Sequence, residues 1–224
     1  MQFWGLSCFC NLQHSEILRI KELLDVGFYF NIWNNIVSSS HGPMTLSLYS
    51  SKKLLPLLGK KFVSENPEVD PNSVHPIFCW YADVYFLNRA KYLIICNEVS
   101  RFSLCLGPYK VDPKANFMDH FKKVLEEKLK EILPDYMDYF KSINGYGRLT
   151  QTHRGAMANL SRLKIDLDYS KSYYLAFENR QLDLPLDFED QAETFTTRNG
   201  EKGYFRPAEN FVKRWNEFKS EQIG

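Results

Sequence analysis

Between residues 79 and 107 the apolar positions fall into three runs, CWYADVYFL, YLIIC and FSLCLG, separated by two short polar breaks. That pattern predicts a three-stranded antiparallel meander. In the first run Trp80, Ala82, Val84 and Phe86 share one face, and Tyr81, Asp83, Tyr85 and Leu87 share the other, because successive strand side chains point to opposite sides. Both faces are partly apolar, which places this strand inside a sheet. The run YLIIC is continuously apolar and rich in β-branched residues, as expected of a strand covered on both sides. Each break carries an arginine beside a small polar residue, Asn88-Arg89 in the first and Ser100-Arg101 in the second.

The pattern before the meander is shorter and less regular. Met44 opens TLSLYSSKKLLPLL, read as a strand followed by a short apolar helix broken near Pro56. The segment at 65–76 contains three prolines and no apolar period, and reads as a loop. After the meander the period becomes helical. Asp112 is a cap, Pro113 suits the first helical position, and Phe117, Phe121, Val124, Leu125, Leu129 and Ile132 form one stripe that Pro134 stops. A short second helix carries Tyr136, Tyr139, Phe140 and Ile143, and Asn144-Gly145 closes it with residues that tolerate positive φ. A third holds Met157, Leu160, Leu163 and Leu167. Residues 173–195 fit helix and extended chain equally, 198–203 form a turn, and Pro207 opens a last amphipathic helix with Phe211, Val212, Trp215 and Phe218 on one face. The fold class expected is α+β, an antiparallel sheet of three to five strands centred on the meander and packed by several helices.

Residues 1–43 stand apart. Ser15 precedes Ile17, Ile20, Leu23 and Leu24 at helical spacing, a strand-like GFYFNIWNNIV follows, and SSSHGP reads as a linker. The expected division is an N-terminal arm, or a mis-assigned start, at 1–43 and a single globular domain at 44–224.

Charge and composition narrow the function classes. The 28 basic and 27 acidic side chains leave a net charge of +1, so no global field gathers nucleic acid or anionic lipid, and such binding requires a local patch. No apolar run reaches the roughly 18 residues of a membrane span, and the N-terminus lacks the basic start and small-residue cleavage site of a signal peptide. Three of the five cysteines, Cys79, Cys96 and Cys105, fall in predicted strands, where a thiol packs as a small apolar group. A reducing cytoplasm is the expected location. The five histidines are scattered without the spacing of a zinc site, and no Gly-rich phosphate loop or nucleophile elbow is present, so neither metal nor cofactor is expected.

The order W-x-A-x(5)-N-R-x-K, N-x-x-S-R-F and T-x-T-x-R-G-A-M-A-N supplies the remaining information. It comprises Trp80, Ala82, Asn88, Arg89, Lys91, Asn97, Ser100, Arg101 and Phe102, then Thr150, Thr152, Arg154, Gly155, Met157 and Asn159. In this order the chain resembles a bacterial family of domains of unknown function often found near mobile elements, from Met44 to the C-terminus. The resemblance implies an intact domain and carries no activity.

Within the motifs, Arg89, Arg101, Thr150, Thr152 and Arg154 are the candidates for anion or partner binding. An arginine fork binds phosphate or carboxylate bidentately, and 150–154 precede a helix whose unpaired N–H groups favour an anion. The competing reading makes both meander arginines ties for turn carbonyls and Thr152 the helix cap. Arg89 and Arg101 belong to opposite ends of the middle strand and need not meet. Trp80, Asn88, Asn97 and Met157 are assigned to structure, and no catalytic residue is assigned. The functional order is a non-catalytic interaction or accessory protein, then a nucleic-acid-binding protein stacking bases on Tyr81 and Tyr85, then an enzyme acting on a phosphorylated or nucleic-acid substrate. The partner is a protein or nucleic acid and no membrane.

Overall fold

The meander is the antiparallel half of a larger, mixed sheet. The structure is a computed structural model and describes residues 44–110, 117–194 and 204–223. The arm at 1–43, the helix start at Asp112 and Pro113, and the turn at 198–203 lie outside the described residues. Six strands are described: β1 Met44–Ser50, β2 Glu68–Val69, β3 Cys79–Leu87, β4 Ala90–Asn97, β5 Ser103–Tyr109 and β6 Ile143–Leu149. Their order across the sheet is β2-β6-β1-β3-β4-β5. β3, β4 and β5 pair antiparallel, with Trp80 opposite Asn97 and Leu87 opposite Ala90. β1 runs parallel to both β3 and β6, and β2 runs parallel to β6.

The expectation of an all-antiparallel sheet of three to five strands is therefore corrected. β1 itself makes the sheet mixed by lying parallel to β3, and the strands beyond those expected are β2 and, chiefly, β6. Its sequence, INGYGRL, has no apolar alternation, and its Asn144-Gly145 resembles a helix end. Neither residue adopts a positive φ; both lie in β6, where Gly145 pairs with Thr45 of β1 and Asn144 falls at a register shift. Gly147 is needed there for packing, since a Cβ would lie 2.4 Å from Val69 Cγ2 and 2.9 Å from Thr45 Cγ2.

The described helices are α1 Leu55–Glu65, α2 Phe117–Ile132, α3 Tyr136–Lys141, α4 Arg154–Tyr173, α5 Leu186–Ala192 and α6 Pro207–Ile223. Pro56 lies in the first turn of α1, where its missing N–H costs nothing, and the break falls instead at Gly59 with φ 76°. The segment at 65–76 is not all loop: it contains β2 and the short 3₁₀ turn Pro71–Ser73. The ambiguous stretch after Tyr173 resolves into a π turn, Tyr174–Glu178, ended by Asn179 at φ 48°, then irregular chain leading to α5.

The alternation read in β3 sorts the layers. Trp80 is wholly buried; its ring lies 5.6 Å from Phe121 of α2 and 6.1 Å from Phe211 of α6, and its Nε1 donates to Tyr139 Oη of α3 at 3.2 Å. On the other face Tyr85 donates to Asp168 of α4 at 2.9 Å, and Lys164 of α4 pairs with Asp83. The sheet is thus sandwiched, α4 on one side and α2, α3 and α6 on the other. Tyr81 and Tyr85 are buried beneath α4, so the sheet displays neither ring for base stacking, which corrects that part of the nucleic-acid reading. Cys79, Cys96 and Cys105 are buried free thiols. Burial pushes all three above the usual thiol range, Cys105 to about 12, which keeps them protonated and unreactive at neutral pH.

Candidate functional site

β4 ends on Asn97, and the chain must turn within 98–102 to re-enter the sheet as β5. Asn97 organises that turn. Its Oδ1 accepts from the backbone N–H of Val99 at 3.2 Å, from that of Ser100 at 3.1 Å and from Ser100 Oγ at 2.9 Å. Its Nδ2 donates to the carbonyls of Ile77 at 2.9 Å and Cys79 at 3.3 Å. A fully buried amide with both ends satisfied leaves nothing for a ligand. Ser100 Oγ accepts from the Phe102 N–H at 3.1 Å, and Ser103 Oγ donates to the Arg101 carbonyl at 2.8 Å.

Arg101 takes φ 64°, an uncommon conformation for a side-chain-bearing residue. The residue is 4% exposed, and its guanidinium donates through Nη1 to the carbonyl of Glu98. It lies against the first turn of α4, where a Cβ on Gly155 would come within 2.2 Å of Arg101 Nη2. The two halves of the motif therefore meet, N-x-x-S-R-F supplying the fork and R-G-A-M-A-N the glycine that makes room for it. One turn further along α4, Asn159 Nδ2 donates to Cys96 Sγ at 3.3 Å and Ser103 Oγ at 3.4 Å, while its Oδ1 accepts from Arg162 at 3.3 Å. Glu98 accepts from the Tyr81 hydroxyl at 2.9 Å; burial first, then this carboxylate, raises the Tyr81 pKa.

The cap of α4 is His153, whose Nδ1 accepts from the Ala156 N–H at 3.1 Å. Thr152 was the expected cap; it is exposed, one residue too early, because the first helical residue is Arg154. Sequence reasoning passed over His153, Gly155 and Asn159 as site residues. The readable signal was the Gly155 to Asn159 interval of four, which puts both on the face of α4 that meets the sheet.

The other candidates are dispersed. Asn88 and Arg89, at φ 48° and 65°, form the two-residue loop between Leu87 and Ala90, the backbone of a type I′ hairpin whose twist suits the strands. Asn88 Nδ2 donates to Gln181 at 3.1 Å, and Arg89 is exposed. The eight residues of β4 separate Arg89 from Arg101, about 25 Å in an extended strand. Thr150, Thr152 and Arg154 are exposed and Met157 is half-buried. A shallow depression lies along α6, lined by Glu209, Val212, Lys213, Asn216 and Glu217, and includes none of these arginines. Among the described residues no cluster of His, Cys, Asp and Glu is placed to hold a metal, and no helix is long and apolar enough to cross a membrane.

Fold and site together define an α+β domain whose motif residues are spent largely on its own turns. Residues 47–210 match the family described as Domain of unknown function (DUF6933), and the chain belongs to that family. No curated protein matches the chain.

Proposed function

We propose that the protein is a non-catalytic interaction or accessory protein of the bacterial cytoplasm, and that it meets its partner through a ridge that runs along α4 into the π turn Tyr174–Glu178. One observation carries this reading. Ile165, Tyr169, Tyr173 and Phe177 recur every four residues and are 56%, 74%, 53% and 77% exposed, with the Tyr173 and Phe177 rings 5.1 Å apart. Single exposed apolar residues are ordinary, whereas a row of exposed large apolar and aromatic side chains is the composition of an interface. The motif groups support the same reading from the other side. Asn97, Arg101 and Asn159 are bonded within the fold, which favours a structural role for them over chemistry on a substrate.

Nucleic-acid binding is the second reading, and an enzyme on a phosphorylated or nucleic-acid substrate the third. Both rest on Thr150, Thr152 and Arg154, exposed at the head of α4. The test compares wild type with a variant carrying Tyr169→Ser, Tyr173→Ser and Phe177→Ser. Cross-linking in cells should join the wild type to a protein partner that the variant loses without change in its melt. Phosphate and a short single-stranded oligonucleotide should leave the wild-type melting temperature where it is. A rise with either that disappears in Arg154→Ala would replace the interaction reading with the second or third, since a ligand of the folded state stabilises by mass action.

A further inference from the structure

Among the described residues, Asn144 is the one asparagine followed by a glycine. The register of β6 against β1 shifts at this point. Met44 pairs with Ile143 and Thr45 with Gly145, so Asn144 is the extra residue of a bulge. A bulge leaves its extra residue unpaired and disrupts the ladder around it.

The Asn144 side chain is also unattached. Asn66, Asn88, Asn97, Asn159 and Asn210 each donate through Nδ2 to a partner in the fold. Asn144 is exposed, and its amide has no hydrogen-bond partner among the described residues. Nothing there holds it away from the peptide that follows it.

Gly145 is the third observation. Gly147 is glycine because Val69 and Thr45 crowd it, but a Cβ on Gly145 would meet nothing within 4 Å, and its φ is not in the left-handed region. Neither packing nor conformation among the described residues calls for a glycine at 145. The missing Cβ does leave the Gly145 nitrogen open to close approach by the neighbouring side-chain amide.

We propose that Asn144 is a modification site, at which its amide becomes a carboxylate through a cyclic imide formed with the backbone of Gly145. The Gly145 nitrogen loses its proton to hydroxide and attacks Asn144 Cγ. The new N–Cγ bond forms, the Cγ–Nδ2 bond breaks, and the amide group takes a proton from water and leaves as ammonia. Water then opens the imide. Opening at the side-chain carbonyl gives aspartate, and opening at the main-chain carbonyl gives isoaspartate, whose backbone is longer by one methylene. Either product adds a negative charge to β6. Isoaspartate places its extra length at the bulge, outside the paired stretch from Gly145 to Arg148.

The site is independent of the α4 ridge, so the two readings fail separately. The test incubates the full chain, folded and unfolded in urea, in mildly alkaline buffer made with ¹⁸O water, and maps its peptides by mass spectrometry. The folded chain should lose ammonia and gain ¹⁸O at Asn144, yielding separable aspartate and isoaspartate peptides. Its rate should lie within about tenfold of the unfolded chain's, a barrier difference of about 1.4 kcal/mol. Gly145→Ala, whose Cβ has room, should keep the melting temperature from falling and slow the conversion at least tenfold in both states. A folded-state rate more than tenfold below the unfolded one would overturn the proposal, because the strand would then hold the amide away from the Gly145 nitrogen. So would an amide intact in both states, modification confined to Asn199-Gly200, or a Gly145→Ala chain that converts as fast as the wild type.

Discussion

Arg101 and His153 show how a residue's role depends on a single step of register. A polar residue before a helix is expected to cap it, and T-H-R offers two candidates. The helix begins at Arg154, so the imidazole of His153 reaches the Ala156 N–H while Thr152 faces solvent. His153→Ala should therefore cost about 0.5–2 kcal/mol in urea unfolding, the range for a lost cap, while Thr152→Ala should fall within about 0.5 kcal/mol of wild type. Equal losses at the two positions would return the cap to Thr152. The arginines divide by burial, a property the motif does not encode. Arg89 needs only a hairpin with two positive φ values, whereas Arg101 needs a carbonyl at Glu98 and a glycine at 155, more than fifty residues later in the chain.

At the scale of elements, the meander was legible because its alternation is imposed by burial on two faces. β6 was not. A parallel strand whose centre is Asn-Gly-Tyr-Gly owes its place to backbone pairing and to the lack of side chains at Gly147, and neither leaves an apolar period in the sequence. The α4 stripe was readable, yet the polar partners that dock α4 on β3 were not. Asp83 is the chief of these: it accepts from Ser51 Oγ at 2.6 Å and from the Val84 N–H at 2.9 Å, and it pairs with Lys164. Burial works to raise its pKa, but the bonds from Lys164 and Ser51 and the Lys164 charge outweigh burial and hold the carboxyl below its usual 3.8. The folded chain therefore binds fewer protons here than the unfolded chain. The stability this provides is complete above the unfolded value and is lost as pH falls through the lower folded one. Asp83→Asn should lower the melting temperature at pH 7, and the gap to wild type should close as the pH falls below 3.8. A gap constant across that range would mean that the carboxylate charge is not what joins β3 to α4.

For the whole molecule, the hydrophobic pattern conveyed the α+β class, and the motif order conveyed the family. What the sequence left open was direction, whether polar motif residues turn outward to a ligand or inward to the chain. Spacing along the sequence cannot decide that, because Asn97, Arg101, Gly155 and Asn159 are brought together only by the crossover from β6 to α4. We propose that Met44–Gly224 folds on its own, since it contains every contact of the described sheet and core. Expressed alone it should melt in one cooperative transition; an insoluble product, or one without such a transition, would show that residues before Met44 are required.

The central claim is that the motif joins two parts of the fold through Arg101 and Gly155, and a double-mutant cycle in urea tests it most directly. Glycine early in a helix is ordinarily improved by alanine, by about 0.5–1 kcal/mol. With Arg101 present the added Cβ must displace a guanidinium bonded to Glu98, so Gly155→Ala should instead destabilise, by about 1–3 kcal/mol. In the Arg101→Ala background that obstacle is gone, and the same Gly155→Ala change should be neutral or stabilising, a reversal of sign that only contact produces. Equal effects of Gly155→Ala in the two backgrounds, with Arg101→Ala itself leaving stability unchanged, would contradict the claim and return Arg101 to the candidates for ligand binding.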